Sequence, residues 1–150
     1  MTRLSTAPGR LARGARAYPA GMAILDEWTR NLLERPNFPV VATASPDGVP
    51  VSSVIWAGVE QQAVVFVTAR HAPKARNIER NPRVSLSLHD RENPYKAAEV
   101  RGRAELLDRD PQPLLDELSL KYTGQRYEHA DDEELVVVRL VPDRVVPFDG

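Results

Sequence analysis

The sequence predicts an α+β protein whose body is an antiparallel β-barrel of about six strands. Three observations point there. Five apolar or alternating runs, bounded by Pro, Gly, Asn or Asp, follow one another between residues 38 and 107, and a sixth closes the chain. Helical spacing appears only at intervals and never alternates with strands in the βαβ manner that a parallel sheet requires. The 150 residues are 42% apolar and 27% charged, an ordinary globular balance with enough chain for one core.

Residues 1–20 are Arg-rich, acid-free and aperiodic, and read as a disordered leader or as sequence ahead of the true start. One domain is expected over residues 21–150. In residues 21–35 Leu25, Trp28 and Leu32 recur at helical spacing, which makes Trp28 a core residue, and Pro36 ends that helix. Strands follow over 38–44 and, after the turn Ser45-Pro46-Asp47-Gly48, over 49–58 and 63–69. A short helix opens near Pro73 and closes at Pro82. Residues 83–90 alternate, with Val84, Leu86 and Leu88 on one face and His89 on the polar one; residues 96–107 alternate again. Asp110 and Pro111 start a helix that Gly124 ends. Residues 125–134 are a polar loop, and 135–148 form one long strand or two broken at Pro142.

Composition excludes several functions. The net charge of −1 gives no field for nucleic acid or an anionic membrane. Without cysteine there is no disulfide and no thiolate metal site, and His71, His89 and His129 match no ligand spacing. No apolar run approaches the roughly 18 residues of a membrane span, so the expected compartment is the cytosol.

One junction breaks a local rule. Where the strand 63–69 feeds the next helix, Arg70, Lys74 and Arg76 cluster with His71, and the next acid is Glu79. Helix N-termini favour acids, so these cations repel the dipole and one another unless an anion sits there. Free backbone N–H groups and the Thr68 hydroxyl would add donors. A solvated charge cluster is the plain alternative, and the strand–turn–helix setting favours the anion site. Trp56 is open to two roles, a stacking surface for a ring or a filler of the barrel. No Ser/His/Asp order or acid pair suggests catalysis by side chains alone.

Three blocks, PNFPVVATASPDGVPVSSVIWAG, VVFVTARHAPKARNIERNPRVSLSLHD and ENPYKAAEVRGRAEL, resemble successive blocks of the pyridoxamine 5′-phosphate oxidase-like split β-barrel family. The likeness spans residues 22–148 and is strongest to the actinobacterial branch that uses the deazaflavin coenzyme F-420. It implies a homodimer with two equivalent sites between subunits, each holding a flavin-type cofactor. The ring would lie along Ser52, Ser53, Val54, Ile55 and Trp56. The phosphate would meet Thr68, Arg70 and Lys74, with Arg76 and Asn77 nearby, and the second subunit would bring Asn93, Pro94 and Tyr95.

Departures from the flavin mononucleotide (FMN) oxidases narrow the activity. Their Arg-Lys pair is here Pro73-Lys74, their later-strand Gln is Ala97, and their C-terminal Trp and Arg motif is missing. The resemblance therefore implies an F-420-dependent reductase acting on an unsaturated small molecule. An FMN oxidoreductase and a non-catalytic flavin carrier or sensor are the alternatives.

Overall fold

The computed structural model describes residues 21–128 and 133–150; the leader expected over 1–20, and His129, lie outside the described residues. In chain order the elements are α1 (Glu27–Glu34), β1 (Val40–Ala44), β2 (Pro50–Val54), β3 (Ala57–Glu60) and β4 (Ala63–Ala69). Then come α2 (Pro73–Arg80), β5 (Arg83–His89), β6 (Lys96–Leu107), α3 (Gln112–Thr123) and β7 (Leu135–Asp149).

The fold class is the one the sequence predicts: one antiparallel sheet, rolled as a split barrel, with three helices, in the order β2-β1-β5-β6-β7-β4-β3. The strand expected over 49–58 is two strands, which makes seven in place of six. β2 pairs with β1 at one end of the sheet and β3 with β4 at the other, and only Ile55 and Trp56 separate them. Three Cα steps reach at most about 11 Å, so the two outer strands are held that close. The sheet must curl to allow it. Its seam, between β2 and β3, is not closed by a hydrogen-bonded ladder.

α1 begins later than the apolar spacing suggested. Asp26 caps it, its carboxylate accepting from the Thr29 N–H at 2.7 Å. Ahead of the cap, backbone donors serve long-range partners: Ala23 N–H bonds the Pro142 carbonyl and Leu25 N–H the Gln62 side chain, both at 2.8 Å. Trp28 packs half-buried against the core and donates to the Ala97 carbonyl.

The alternating residues of β5 and β6 point where expected. Val84, Leu86 and Leu88 bury with Ala98, Val100 and Ala104, alongside Val64, Phe66, Val138 and Leu140. β4 carries an unbroken apolar run because α3 covers its outer face, where Val65 and Val137 pack on Leu114 and Leu118. β7 stays one strand through Pro142 by means of a bulge: Arg101 pairs with Arg144 and Gly102 with Pro142, leaving Asp143 over. A Cβ on Gly102 would stand 2.0 Å from the Val141 carbonyl oxygen, so only glycine lets the bulged strand cross there.

α3 follows its sequence signals. Asp110 accepts from the Gln112 N–H at 3.0 Å, and Gly124 ends the helix at φ 78°. From its last turn Lys121 reaches inward, and its ammonium donates to the carbonyls of Leu33 and Ala57. Burial pulls this amine down to about 8 from its ordinary 10.5, against the opposing pull of Glu34 and Glu117. Between those values the unfolded chain keeps a proton that the folded protein has released, so this group's contribution to stability rises with pH. Burial holds the neighbouring Tyr122 phenol above its ordinary 10, so it stays neutral through most of that window. Thermal melts from pH 8 to 10 should therefore climb more steeply for the parent than for Lys121→Met. Equal slopes would mean the amine is solvated in the folded state.

Candidate functional site

The site forms where β4 ends, beside the seam. Thr68, next to last in β4, is buried, with its register partner Val136 on β7. Five residues on, α2 opens with Pro73 at its first turn, no acid there, and Ala72 at the N-cap without a side-chain hydrogen bond. Lys74 on that turn is half-buried and donates to the Ser53 hydroxyl at 2.9 Å, tying α2 to β2. Burial lowers its pKa from the ordinary 10.5.

A cavity of about 420 Å³ lies beside these residues. Five of the residues picked from sequence line it: Val54, Ile55, Trp56, Thr68 and Lys74. Ser53 joins them through Lys74. Asn77 stands one turn further along α2 and donates to the Thr43 hydroxyl at 3.0 Å, which fixes the helix on β1. Ser52 is exposed on the outer face of β2, and Arg76 is exposed on α2. Tyr95 is 65% exposed and does not line the cavity.

Arg70 differs from the sequence expectation of a cation with no nearby acid. Its Nε lies 3.1 Å from one Glu134 oxygen, and His71 Nε2 lies 3.4 Å from the other. The Arg70 N–H also bonds the Glu134 carbonyl at 2.9 Å. The pairing of β4 with β7 causes this: Ala69 lies opposite Leu135, so the acid just before β7 meets the cations just after β4.

Sequence reasoning missed the rest of the wall. Phe38, Val67, Leu115, Leu118, Tyr127 and Glu133 also line the cavity. Trp56 takes both of its open roles at once, because it lines the cavity and packs on other rings. It stacks on Tyr122 with centroids 5.4 Å apart and planes 8° from parallel, and Tyr127 meets it edge-on at 6.3 Å. The adjoining Phe38 tilts against Tyr122 at 5.1 Å and carries the Arg91 guanidinium over its ring. The tyrosines in the last turn of α3 and in the following loop were the only available signal.

The cavity thus has a cationic, hydroxyl-bearing end at Lys74, Ser53 and Thr68, and an aromatic and aliphatic end at Trp56, Phe38, Tyr127 and α3. Its size suits a small molecule, and the two ends suit one that joins a planar apolar part to an anionic part. These residues fit a flavin-type group, the ring at one end and a phosphate at the other. Among the described residues no group of three or more His, Cys, Asp or Glu is placed to hold a metal ion. None of the described helices is long and apolar enough to cross a membrane.

Comparison with known proteins agrees with this fold. The pyridoxamine 5′-phosphate oxidase family model matches residues 25–147. A pyridoxine/pyridoxamine 5′-phosphate oxidase of Rubrobacter xylanophilus is 44% identical over 65 residues, 43% of this chain and 30% of that protein. Its counterpart in Gluconobacter oxydans is 42% identical over 55 residues, 36% of this chain and 28% of that protein. These matches span less than a third of the curated relatives' own length. Among solved structures, one named an F420 reductase is 32% identical, covers 77% of this chain and 94% of its own, and superposes with a TM-score of 0.70. A conserved protein of Mycobacterium tuberculosis, 24% identical over 89% of this chain and 90% of its own, shares the fold with a TM-score of 0.68. Matched by the family model over most of its length, the chain belongs to the pyridoxamine 5′-phosphate oxidase family of oxidoreductases.

Proposed function

We propose that the protein is an F-420-dependent reductase that passes a hydride between the deazaflavin and an unsaturated small molecule. The observation that carries this reading is Lys74, half-buried against Ser53 at the polar end of an aromatic-walled cavity, with Pro73 before it. FMN clamps one terminal phosphate, for which an adjacent Arg-Lys pair is suited. F-420 spreads its negative charge along a phosphodiester and a glutamate tail, for which the separated Arg70, Lys74 and Arg76 are suited. The likeness to an F420 reductase supports the same choice. When bound, the cofactor supplies the hydride. The chain's own work is to orient the ring against Trp56, hold the phosphate near Lys74 and Thr68, and shield the ring with Leu115 and Leu118 of α3.

An FMN-binding oxidoreductase is the second reading, favoured by the likeness to curated pyridoxamine phosphate oxidases. A carrier or sensor without turnover is the third, since the only acid lining the cavity among the described residues is Glu133.

The working unit in this reading is a homodimer with sites between subunits, and its compartment is the cytosol. Val54 lines the cavity yet is 62% exposed, and its sheet partner Val40 is 37% exposed. Together with Ala42, Ser52, Ser85 and Ser87 they make an uncharged outer sheet face, which a second subunit would cover. Tyr95 would then approach a site from the other subunit. Light scattering should show a dimer at micromolar concentration; a stable monomer with full cofactor affinity would remove the shared site.

Lys74→Ala should weaken binding of either cofactor roughly ten- to a hundredfold, the loss of one charge-assisted hydrogen bond. Arg70→Ala should lose less, because Glu134 already shares that charge. Unchanged affinity in Lys74→Ala would make the cluster a solvated face.

Absorbance titrations should further show F-420 binding more tightly than FMN, by a margin that shrinks as salt rises, since exposed charges are screened over about 8–10 Å. Reoxidation of the reduced deazaflavin by an added acceptor would mark the reductase. FMN preferred at both low and high salt would transfer the assignment to the second reading.

A further inference from the structure

We propose that Tyr122 is a positioning residue for the ring site: it fixes the Trp56 indole as a rigid wall of the cavity. The proposal rests on reading that cavity as the seat of a planar cofactor ring. Trp56 needs the support. It sits in the two-residue corner between strands at opposite edges of the sheet, outside both strand ladders. The corner's first residue is tied by one bond, from the Ile55 N–H to the Pro39 carbonyl at 2.9 Å.

α3 supplies the rest from outside the barrel. The Tyr122 hydroxyl donates to the Asn37 carbonyl at 2.6 Å and accepts from the Ala57 N–H at 3.2 Å. It is therefore locked between the loop before β1 and the first residue of β3. Lys121 holds the Ala57 carbonyl, so two consecutive α3 residues engage both backbone groups of the residue that follows Trp56. With the hydroxyl anchored, the phenol ring lies nearly parallel to the indole, 8° away. Tyr127 stands at 90° against it. An indole packed flat on one ring and edged by another has few rotamers left, and it lines the cavity in that fixed pose. The anchor and the orienting surface are separate parts of one side chain. The hydroxyl fixes where the ring is, and the ring fixes how Trp56 lies.

The test separates them. The chain has two tryptophans, so a Trp28→Phe background leaves Trp56 as the sole emitter. Tyr122→Phe and Tyr122→Leu both lose the hydroxyl and differ only in the aromatic ring, and Tyr122→Met replaces the leucine variant should that one fail to fold. In ligand-free protein, acrylamide should quench Trp56 more readily in Tyr122→Leu than in Tyr122→Phe. FMN or F-420 should bind about 2- to 10-fold more weakly to Tyr122→Leu than to Tyr122→Phe, the scale of one aromatic pair. Equal quenching in the two variants overturns the proposal whatever the ligand does. Different quenching with equal cofactor affinity overturns it too, because the wall would then not matter to the ring. If the parent binds neither cofactor while quenching differs, the hold of Tyr122 on Trp56 stands and the reading of the cavity falls.

Discussion

Two residues, Ile55 and Trp56, tie the outer strands of one sheet to each other, and that covalent constraint sets the rest of the structure. β2 and β3 lie at opposite ends of the seven-strand order yet are joined by a link too short to let the sheet lie flat. Curvature must come from somewhere, and it comes from β7. The extra residue at Asp143 and the missing side chain at Gly102 let that strand bend across β6, with Pro142 placed where no ladder donor is needed. Both residues of the corner, Ile55 and Trp56, also line the cavity.

What the corner lacks in sheet hydrogen bonds, α3 replaces. This helix has a second task in covering β4, which explains why the strand is apolar on both faces and why Leu115 and Leu118 reach the cavity while Leu114 and Leu118 pack the strand. The same helix therefore serves stability and site together. Its half-buried lysine is a cost to the fold, since an ammonium withdrawn from water is disfavoured, and its hydrogen bonds to Leu33 and Ala57 offset part of that.

Much of this was legible in the sequence, and the failures share one cause. Strand and helix periodicities identified every element except the division of 49–58 into β2 and β3, and Lys74 of the cationic junction marked the polar end of the cavity. Local patterns carry no information about which strands pair. The run 49–58 reads as one strand because Val54, Ile55 and Trp56 all suit a β conformation; only the sheet order shows that the chain changes edges there. The isolation of Arg70 was misjudged for the same reason, since Glu134 is 64 positions away in sequence and adjacent across the β4–β7 ladder. Phe38, Tyr127 and the α3 leucines reach the cavity through packing that no spacing encodes. Tyr95, placed with the site by family likeness alone, stands apart from it within one chain.

The Arg70–Glu134 contact has a consequence for which anions the junction accepts. A carboxylate held on the neighbouring strand acts as a tethered competitor whose effective concentration is in the millimolar range or above. Under the proposed function, a phosphate arriving at Arg70 would not fill an empty place but exchange with a group already there, so the local charge balance would change little. Free inorganic anions, which offer that guanidinium no more than Glu134 does, gain almost nothing by the exchange. A ligand gains only if it is held elsewhere as well, by its ring against Trp56 or by a second oxygen near Lys74. Under the proposed function, the acid would act as a threshold, making the junction selective for molecules that engage both ends of the cavity.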